Sequence, residues 1–192
     1  MPRRIRTLRR ETDKGAPMTA GKIKIRPALP SDKAAIVGVH RQAFADRSNE
    51  ADLFELLIDA EKDAVSLVAV LDASIVGHVL FSPVTLDPEV VDLRIVGLAP
   101  LAVLPGQQGR GVGSRLIREG IAACSDAGFD AVVVLGDPGY YSRFGFERAS
   151  GFGLRNEYGV DDEFMVLPTD AKALSGRRGL VRYALEFGMA GC

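Results

Sequence analysis

The chain has 192 residues, 47% of them hydrophobic and 26% charged, with a formal net charge of -1. This balance predicts a globular protein with one sizeable core and argues against a nucleic-acid partner, and its apolar runs are too short to span a membrane. Two cysteines and two histidines are too few for a zinc site or a disulfide framework, so we expect no metal and a reducing, cytoplasmic location.

The first 20 residues contain five arginines and few apolar side chains. They lack the apolar segment of a secretory signal. We predict a disordered basic extension over residues 1–20, with an arm that binds nucleic acid or another surface as the alternative. A single domain is expected over residues 21–192.

The first half of that domain predicts two helices among strands. Residues 22–28 alternate isoleucine with basic residues, which is typical of a strand. A helix with Ser31 as its N-cap follows, and residues 50–62 form a second amphipathic pattern. Two β-rich runs at 65–71 and 74–86 then predict a hairpin.

A third β-rich run, over residues 91–105, is expected to pair with the second strand of that hairpin. Pro100 lies inside it and has no amide hydrogen, so the sequence predicts a bulge or a splayed end there. Next comes a helix with one apolar stripe that begins at Val112 and ends near Gly128. The apolar run at 131–136 predicts a buried strand parallel to the one before the helix.

The segment after that strand begins a short helix at Pro138 and ends it at Gly145, and weaker strands complete the chain. The resulting order, β-α-α-β-β-β-α-β-α-β-β, requires a mixed sheet. Cys124 falls on an apolar helix face, where a buried thiol is expected.

Four glycines lie within eight residues, at positions 106, 109, 111 and 113. They fall between the β-rich run over residues 91–105 and the next predicted helix. A glycine loop at a helix start predicts an anion site, because free amides point outward and the helix dipole adds positive charge. A simple tight turn is the alternative. The Walker A pattern fails because Val112 and Gly113 replace its lysine and hydroxyl residue, and the dinucleotide pattern fails because Ser114 replaces its third glycine.

Two motifs carry a resemblance to a known family. Gln108-x-x-Gly111-x-Gly113 resembles the Q/R-x-x-G-x-G/A signature of the GNAT N-acetyltransferase superfamily, and the segment Tyr140 to Phe146 resembles its FYxxxGF motif. The predicted element order is similar to the family fold over about residues 22–187. Longer phrases around both motifs are similar to a YhbS-like branch of that family.

The resemblance implies an α/β fold whose mostly antiparallel sheet has about seven strands, splays at the cofactor strand and carries helices on both faces. It implies acetyl-CoA as co-substrate, with the strand along the pantetheine arm and the loop on the pyrophosphate. The implied cofactor-binding residues are Leu101, Ala102 and Val103 on the strand and Gln108, Gly109, Arg110, Gly111, Val112, Gly113 and Ser114 in the loop. Arg110 either contacts a CoA phosphate or faces solvent.

The resemblance also implies a tyrosine that protonates the departing thiolate, which maps onto Tyr141, with Tyr140 beside it as the alternative. The glutamate that some relatives carry before the loop is missing. Candidates for the general base are therefore Glu50, His78 and a water chain, and the strand parity of His78 favours a buried histidine with a structural role.

The predicted function is transfer of an acetyl group from acetyl-CoA to a primary amine of a small molecule or a peptide. A non-catalytic acyl-CoA-binding or regulatory module on the same fold is the alternative, and an O-acyltransferase or a longer acyl donor also stays open. Acidic residues between 157 and 163 either attract a cationic amine or form a solvated loop. Neither nucleic acid nor a membrane is an expected partner, and a homodimer is one of the open oligomeric states.

Overall fold

A computed structural model describes residues 22–44, 49–90, 92–170 and 172–192. The predicted extension over residues 1–20 and the predicted strand start at residue 91 lie outside these ranges. The strands are β1 (Lys24–Pro27), β2 (Val65–Leu71), β3 (Ser74–Asp87), β4 (Ile95–Val103), β5 (Ala131–Leu135), β6 (Glu147–Arg148), β7 (Leu154–Asn156), β8 (Phe164–Pro168) and β9 (Gly179–Arg182). The helices are α1 (Lys33–Ala43), α2 (Asn49–Asp59), α3 (Val112–Asp126), α4 (Pro138–Tyr141) and α5 (Leu185–Ala190).

The strands form one mixed sheet in the order β1-β2-β3-β4-β5-β8-β6, and β9 joins the far end of β3 and also pairs with β7. The β4–β5 pair is parallel and the α3 crossover connects it, as the sequence predicts. The β1–β2, β2–β3, β3–β4 and β5–β8 pairs are antiparallel. The two short strands β6 and β7 and the last helix α5 are additional to the predicted order.

Helices cover both faces of the sheet, which confirms that prediction. On one face α1, α2 and α5 pack their apolar stripes on the sheet, for example through Phe54 and Leu57. On the other face α3 buries Leu116, Ile117 and Cys124 against the sheet. Each of the two large aliphatic side chains, fully buried, stabilises the fold by roughly 1.5–3 kcal/mol. The predicted buried thiol of Cys124 is confirmed, and burial raises its pKa to about 12.

The start of the first helix differs from the prediction. Ser31 lies inside a 3-10 turn over Pro30–Asp32, so its prediction as the N-cap is wrong. Asp32 takes that position, and its carboxylate instead accepts hydrogen bonds from the Leu29 amide at 2.8 Å and from the Arg26 guanidinium at 2.6 Å. Through these hydrogen bonds the Asp32 carboxylate connects β1 to the turn before α1 and does not cap the helix with its side chain. Within the described part of the chain, no helix is long and apolar enough to cross a membrane.

Candidate active site

The glycine loop joins β4 to α3 through backbone conformations that favour glycine. Gly109 and Gly111 have φ angles of +71° and +80°, in the left-handed region. Gly111 is the N-cap residue of α3, and its carbonyl accepts the first helical hydrogen bond, from the Arg115 amide at 3.0 Å. The loop therefore ends with the unpaired amides of a helix start, which is an arrangement that binds anions.

Glycine is favoured at the loop positions for two different physical reasons. A Cβ added at Gly109 or Gly111 would meet no atom within 4 Å, so the left-handed backbone, not crowding, requires glycine there. A Cβ at Gly113 would lie 3.1 Å from the Tyr140 hydroxyl, so the protein itself leaves little room at that position. The open surface over Gly109 and Gly111 leaves space for a ligand against the backbone.

A cavity of about 460 Å³ lies over this loop. Val103 and all the predicted loop residues except Arg110 line it. Arg110 is exposed and donates to the Gln107 side chain at 3.2 Å. Gln108 donates from Nε2 to the Val103 carbonyl at 3.0 Å and so ties the loop to the end of β4.

Arg143 and Tyr140 also line the loop cavity, and Arg143 was not among the residues predicted from the sequence. The Arg143 guanidinium lies 4.0 Å from the centroid of the Tyr140 ring, and its Nε donates to the Tyr140 carbonyl at 2.8 Å. A cation held by stacking beside an anion-binding loop favours phosphate. The signal was available, because Arg143 lies within the second motif.

The sheet opens beside the predicted cofactor strand. β4 pairs with β5 only at Ile95, Val96 and Gly97. On its other edge, the register with β3 shifts between the pairs Leu98–Phe81 and Leu101–Val79, so β4 has one extra residue there. This is the bulge that Pro100 predicts, and it leaves the segment from Leu98 onward free on the β5 side.

A second cavity, of about 810 Å³, opens at that gap. Residues 98–101 of β4 form one wall, and Leu101 is the only one of the three predicted strand residues among its lining; Ala102 lines neither cavity. The two predicted catalytic residues, Tyr141 and Glu50, both line this second cavity. The fold therefore brings together side chains that lie about 90 residues apart in the sequence.

Tyr141 is held by packing on two sides. Its ring contacts Gly136 so closely that a Cβ there would clash, and it meets the Phe146 ring edge-on at 5.7 Å. Burial, with a smaller contribution from Tyr140, raises the pKa of Tyr141 to about 12. Its hydroxyl therefore remains protonated and can donate a hydrogen bond at neutral pH.

Glu50 is the second residue of α2 and sits at the cavity wall. Its Oε2 atom is buried and has no hydrogen-bond partner among the described residues. A buried carboxylate oxygen without a donor is costly unless a ligand or water satisfies it. Because Glu50 lines the cavity, its carboxylate lies where a base is needed, although the Oε2 atom itself has almost no accessible surface.

The histidines form a separate cluster in the core. The His78 Nδ1 atom lies 2.9 Å from His40 Nε2, and its Nε2 atom lies 3.0 Å from the Ser66 hydroxyl. Burial lowers the pKa of His40 to about 4, and burial together with the neighbouring His40 lowers the pKa of His78 well below its ordinary value. The prediction of a buried, hydrogen-bonded His78 is confirmed, and neither histidine lines the two cavities.

The acidic segment before β8 divides between the two predicted alternatives. Asp161 and Asp162 pair with Arg148 at 3.6 Å and 2.7 Å, and Glu157 accepts from the Tyr183 amide at 2.7 Å. Only Glu163 lines the larger cavity. In the described ranges, no group of three or more His, Cys, Asp or Glu side chains is arranged to hold a metal ion.

Comparison with known proteins relates these features to one family. The profile of the Acetyltransferase (GNAT) family matches residues 34–146. The chain is 39% identical over 165 residues to the uncharacterized N-acetyltransferase YhbS of Escherichia coli K12. This aligned region covers 85% of this chain and 97% of YhbS. It is 44% identical over 123 residues to the uncharacterized N-acetyltransferase YjhQ of the same organism, covering 63% of this chain and 67% of that protein.

Solved structures give the same relation. The crystal structure of E. coli YhbS in complex with CoA matches with a TM-score of 0.83 and 37% identity, over 93% of this chain and 96% of that one. A GNAT acetyltransferase from Brucella melitensis in complex with acetyl-CoA matches with a TM-score of 0.73 and 34% identity, over 87% of this chain and 99% of that one.

Proposed function

The chain belongs to the acetyltransferase (GNAT) family, and on that premise we propose that it transfers an acetyl group from acetyl-CoA to a primary amine. The observation that carries the proposal is the continuity of β4 between two cavities. Val103 and the glycine loop line one of them, and residues 98–101 line the other. A molecule with a phosphate end and a reactive end can therefore lie along one strand. The complexes of YhbS with CoA and of the Brucella protein with acetyl-CoA support this assignment of the donor.

The glycine loop is proposed to hold the pyrophosphate. Its left-handed glycines keep the backbone clear of side chains, and the start of α3 offers amide donors with a partial positive charge. Arg143 adds a full charge at the same cavity. The residues present therefore fit a diphosphate. The proposed donor site consists of the predicted loop residues together with Arg143, and Arg110 lies at its margin.

On β4, the proposed role of Leu101, Ala102 and Val103 is to offer a backbone amide to the carbonyl oxygen of the thioester. The segment pairs with β3 on one edge, and β5 does not pair with it on the other, so the backbone amides that point to the β5 side have no strand partner. A preorganised amide stabilises the negative charge that develops on this oxygen.

Tyr141 and Glu50 are the proposed catalytic pair. Glu50 accepts a proton from the incoming ammonium, directly or through water. Tyr141 donates a hydrogen bond to the departing sulfur. Complete transfer of a proton from a phenol with a pKa near 12 to a thiolate with a pKa near 8.5 is uphill by about 5 kcal/mol, so hydrogen bonding suffices for the role.

The experiment is an acetyl-transfer screen that reads both products. Purified protein is incubated with acetyl-CoA and a panel of polyamines, amino acids, hydrophobic amines, aminoglycosides and peptides. Free thiol and the acetylated amine, by mass spectrometry, are measured together. Turnover with any member supports the proposal. If calorimetry shows tight acetyl-CoA binding but no amine is turned over, the result supports the non-catalytic module and refutes the proposed acetyl transfer.

A further inference from the structure

The larger cavity has a one-sided charge. Glu50 reaches it from α2 and Glu163 reaches it from the segment just before β8, so the two carboxylates come from separate elements. Among the described residues that line it, none is a lysine, an arginine or a histidine. A ligand with a positive charge is favoured beside these two carboxylates, whereas a ligand carboxylate would face two like charges.

The remainder of the cavity wall is mainly aromatic and aliphatic. Leu53, Leu98 and Phe187 contribute apolar side chains, and Tyr158 and Tyr183 contribute rings whose centroids lie 5.8 Å apart. Such a wall favours an aryl or alkyl body. It would leave the hydroxyls of a sugar or an aminoglycoside without hydrogen-bond partners, which is costly.

Two buried oxygens on this wall have no partner among the described residues. One is the Glu50 Oε2 atom and the other is the Tyr183 hydroxyl, whose residue is only 9% exposed. Burial also raises the pKa of Tyr183, which keeps it a neutral phenol. Neither oxygen has accessible surface in the cavity, so a ligand can bond to it only if the side chain moves.

From the charge and the apolar wall, we infer that the acceptor is a hydrophobic primary amine: an aryl or alkyl body with one ammonium and no carboxylate. The inference rests on the acetyltransferase activity proposed above and names the substrate class of the same site. Glu163 is the specificity-determining residue, because its carboxylate repels an amine that carries an acid group.

The reaction balances with that substrate. The ammonium R–NH3⁺ loses one proton to Glu50, and the nitrogen lone pair forms a bond to the thioester carbonyl carbon. The C–S bond breaks and the sulfur leaves as a thiolate beside Tyr141. The nitrogen loses its second proton as the amide forms, and the thiolate takes up one proton. The products are R–NH–CO–CH3, CoA thiol and one proton released to solvent.

The test compares amines that differ in one feature each. 2-Phenylethylamine has the predicted body and charge, L-phenylalanine adds a carboxylate, and ethanolamine lacks the apolar body. We expect kcat/KM for 2-phenylethylamine to exceed that for L-phenylalanine on the order of 100-fold, from the like-charge contact. We expect it to exceed that for ethanolamine about 30-fold, from burial of the ring.

A matched pair of variants isolates the charge of Glu163. E163Q is expected to raise the KM for 2-phenylethylamine about fivefold and to narrow its advantage over L-phenylalanine by a similar factor, with the KM for acetyl-CoA unchanged. E119Q is the control, because Glu119 lies on α3 and pairs with Arg115 on the exposed surface. It should behave as the unaltered protein does.

The outcomes separate this inference from the proposed function. If the kcat/KM for ethanolamine or L-phenylalanine equals that for 2-phenylethylamine, the inferred substrate class is wrong although the protein is an acetyltransferase. An unchanged amine preference in E163Q overturns the role of Glu163. If no amine in the wider panel releases thiol, the proposed function itself fails.

Discussion

Substituting Gly111 by valine should separate the anion-binding role of the loop from its structural role. The φ angle at Gly111 is +80° and the space around it is open, so a side chain would meet strain without a clash. A β-branched residue in the left-handed region costs about 2 kcal/mol, which for a domain of this size lowers the melting temperature by about 4–8 °C. The added methyl groups would also occupy the open surface of the loop cavity.

The effect on donor binding should exceed this structural effect. A lost charge-assisted hydrogen bond between an amide and a phosphate costs about 2 kcal/mol, or about 30-fold in Kd. If one or two such bonds are lost, the Kd of acetyl-CoA rises between about 30-fold and 1000-fold. Isothermal titration calorimetry with acetyl-CoA, performed well below the melting temperature, measures it.

Gly106→Val is the matched control, because Gly106 belongs to the same loop segment, has open space and has no positive φ. It does not line the loop cavity. We expect its melting temperature and its Kd to stay close to those of the unaltered protein. A folded Gly111→Val protein that binds acetyl-CoA within twofold of the unaltered protein would refute the pyrophosphate assignment.

Three further predictions concern the two cavities and the histidine cluster. Tyr141→Phe should lower kcat about 100-fold without changing the Kd of acetyl-CoA, whereas Tyr140→Phe should leave kcat within a few fold; equal kcat losses in stopped-flow or steady-state assays would contradict the assignment of Tyr141. Arg143→Ala should raise the Kd of acetyl-CoA about fivefold at low salt and less at high salt, whereas Arg110→Ala should change this Kd less than twofold. If calorimetry gives the larger effect for Arg110→Ala, the assignment of Arg143 to the phosphate site is wrong. His40 has a pKa of about 4 in the folded protein against 6.5 for an ordinary histidine, so the unfolded chain binds its proton first as the pH falls. His40 alone should therefore lower the free energy of unfolding in urea by about 3 kcal/mol between pH 6.5 and pH 4, and His78 adds to this loss; a flat profile over this range would contradict neutral buried histidines.

Local signals predicted most of the elements because each depends on neighbouring residues. Glycines next to a helical stripe fixed where α3 begins, and the short apolar run at 131–135 has only one good place, inside the sheet. Pro100 cannot donate to a ladder, so the bulge in β4 follows from one residue. The helix cap was missed because Ser31 is an ordinary cap residue by local preference, whereas Asp32 has a partner, Arg26, on another element.

The composition of the larger cavity required the folded chain. Glu50, Tyr141 and Tyr183 come from three distant parts of the sequence, and only the fold brings α2, α4 and the residue after β9 to the lining of one cavity beside β4. The histidine pair is similar, since His40 and His78 lie on a helix and a strand that meet across the core. Spacing along the chain carries no information about such contacts.

The sequence by itself determined the order of elements, the parallel crossover through α3, the glycine loop and, through its two motifs, the family. These features depend on residues within a turn or two of each other, where backbone dihedrals and periodicity decide the conformation. Only the tertiary structure decided that Arg143 lines the loop cavity while Arg110 does not, and that Glu163 alone among the acidic residues between 157 and 163 lines the larger cavity. Side-chain direction and burial depend on packing between elements, and that packing exists only once the sheet has formed.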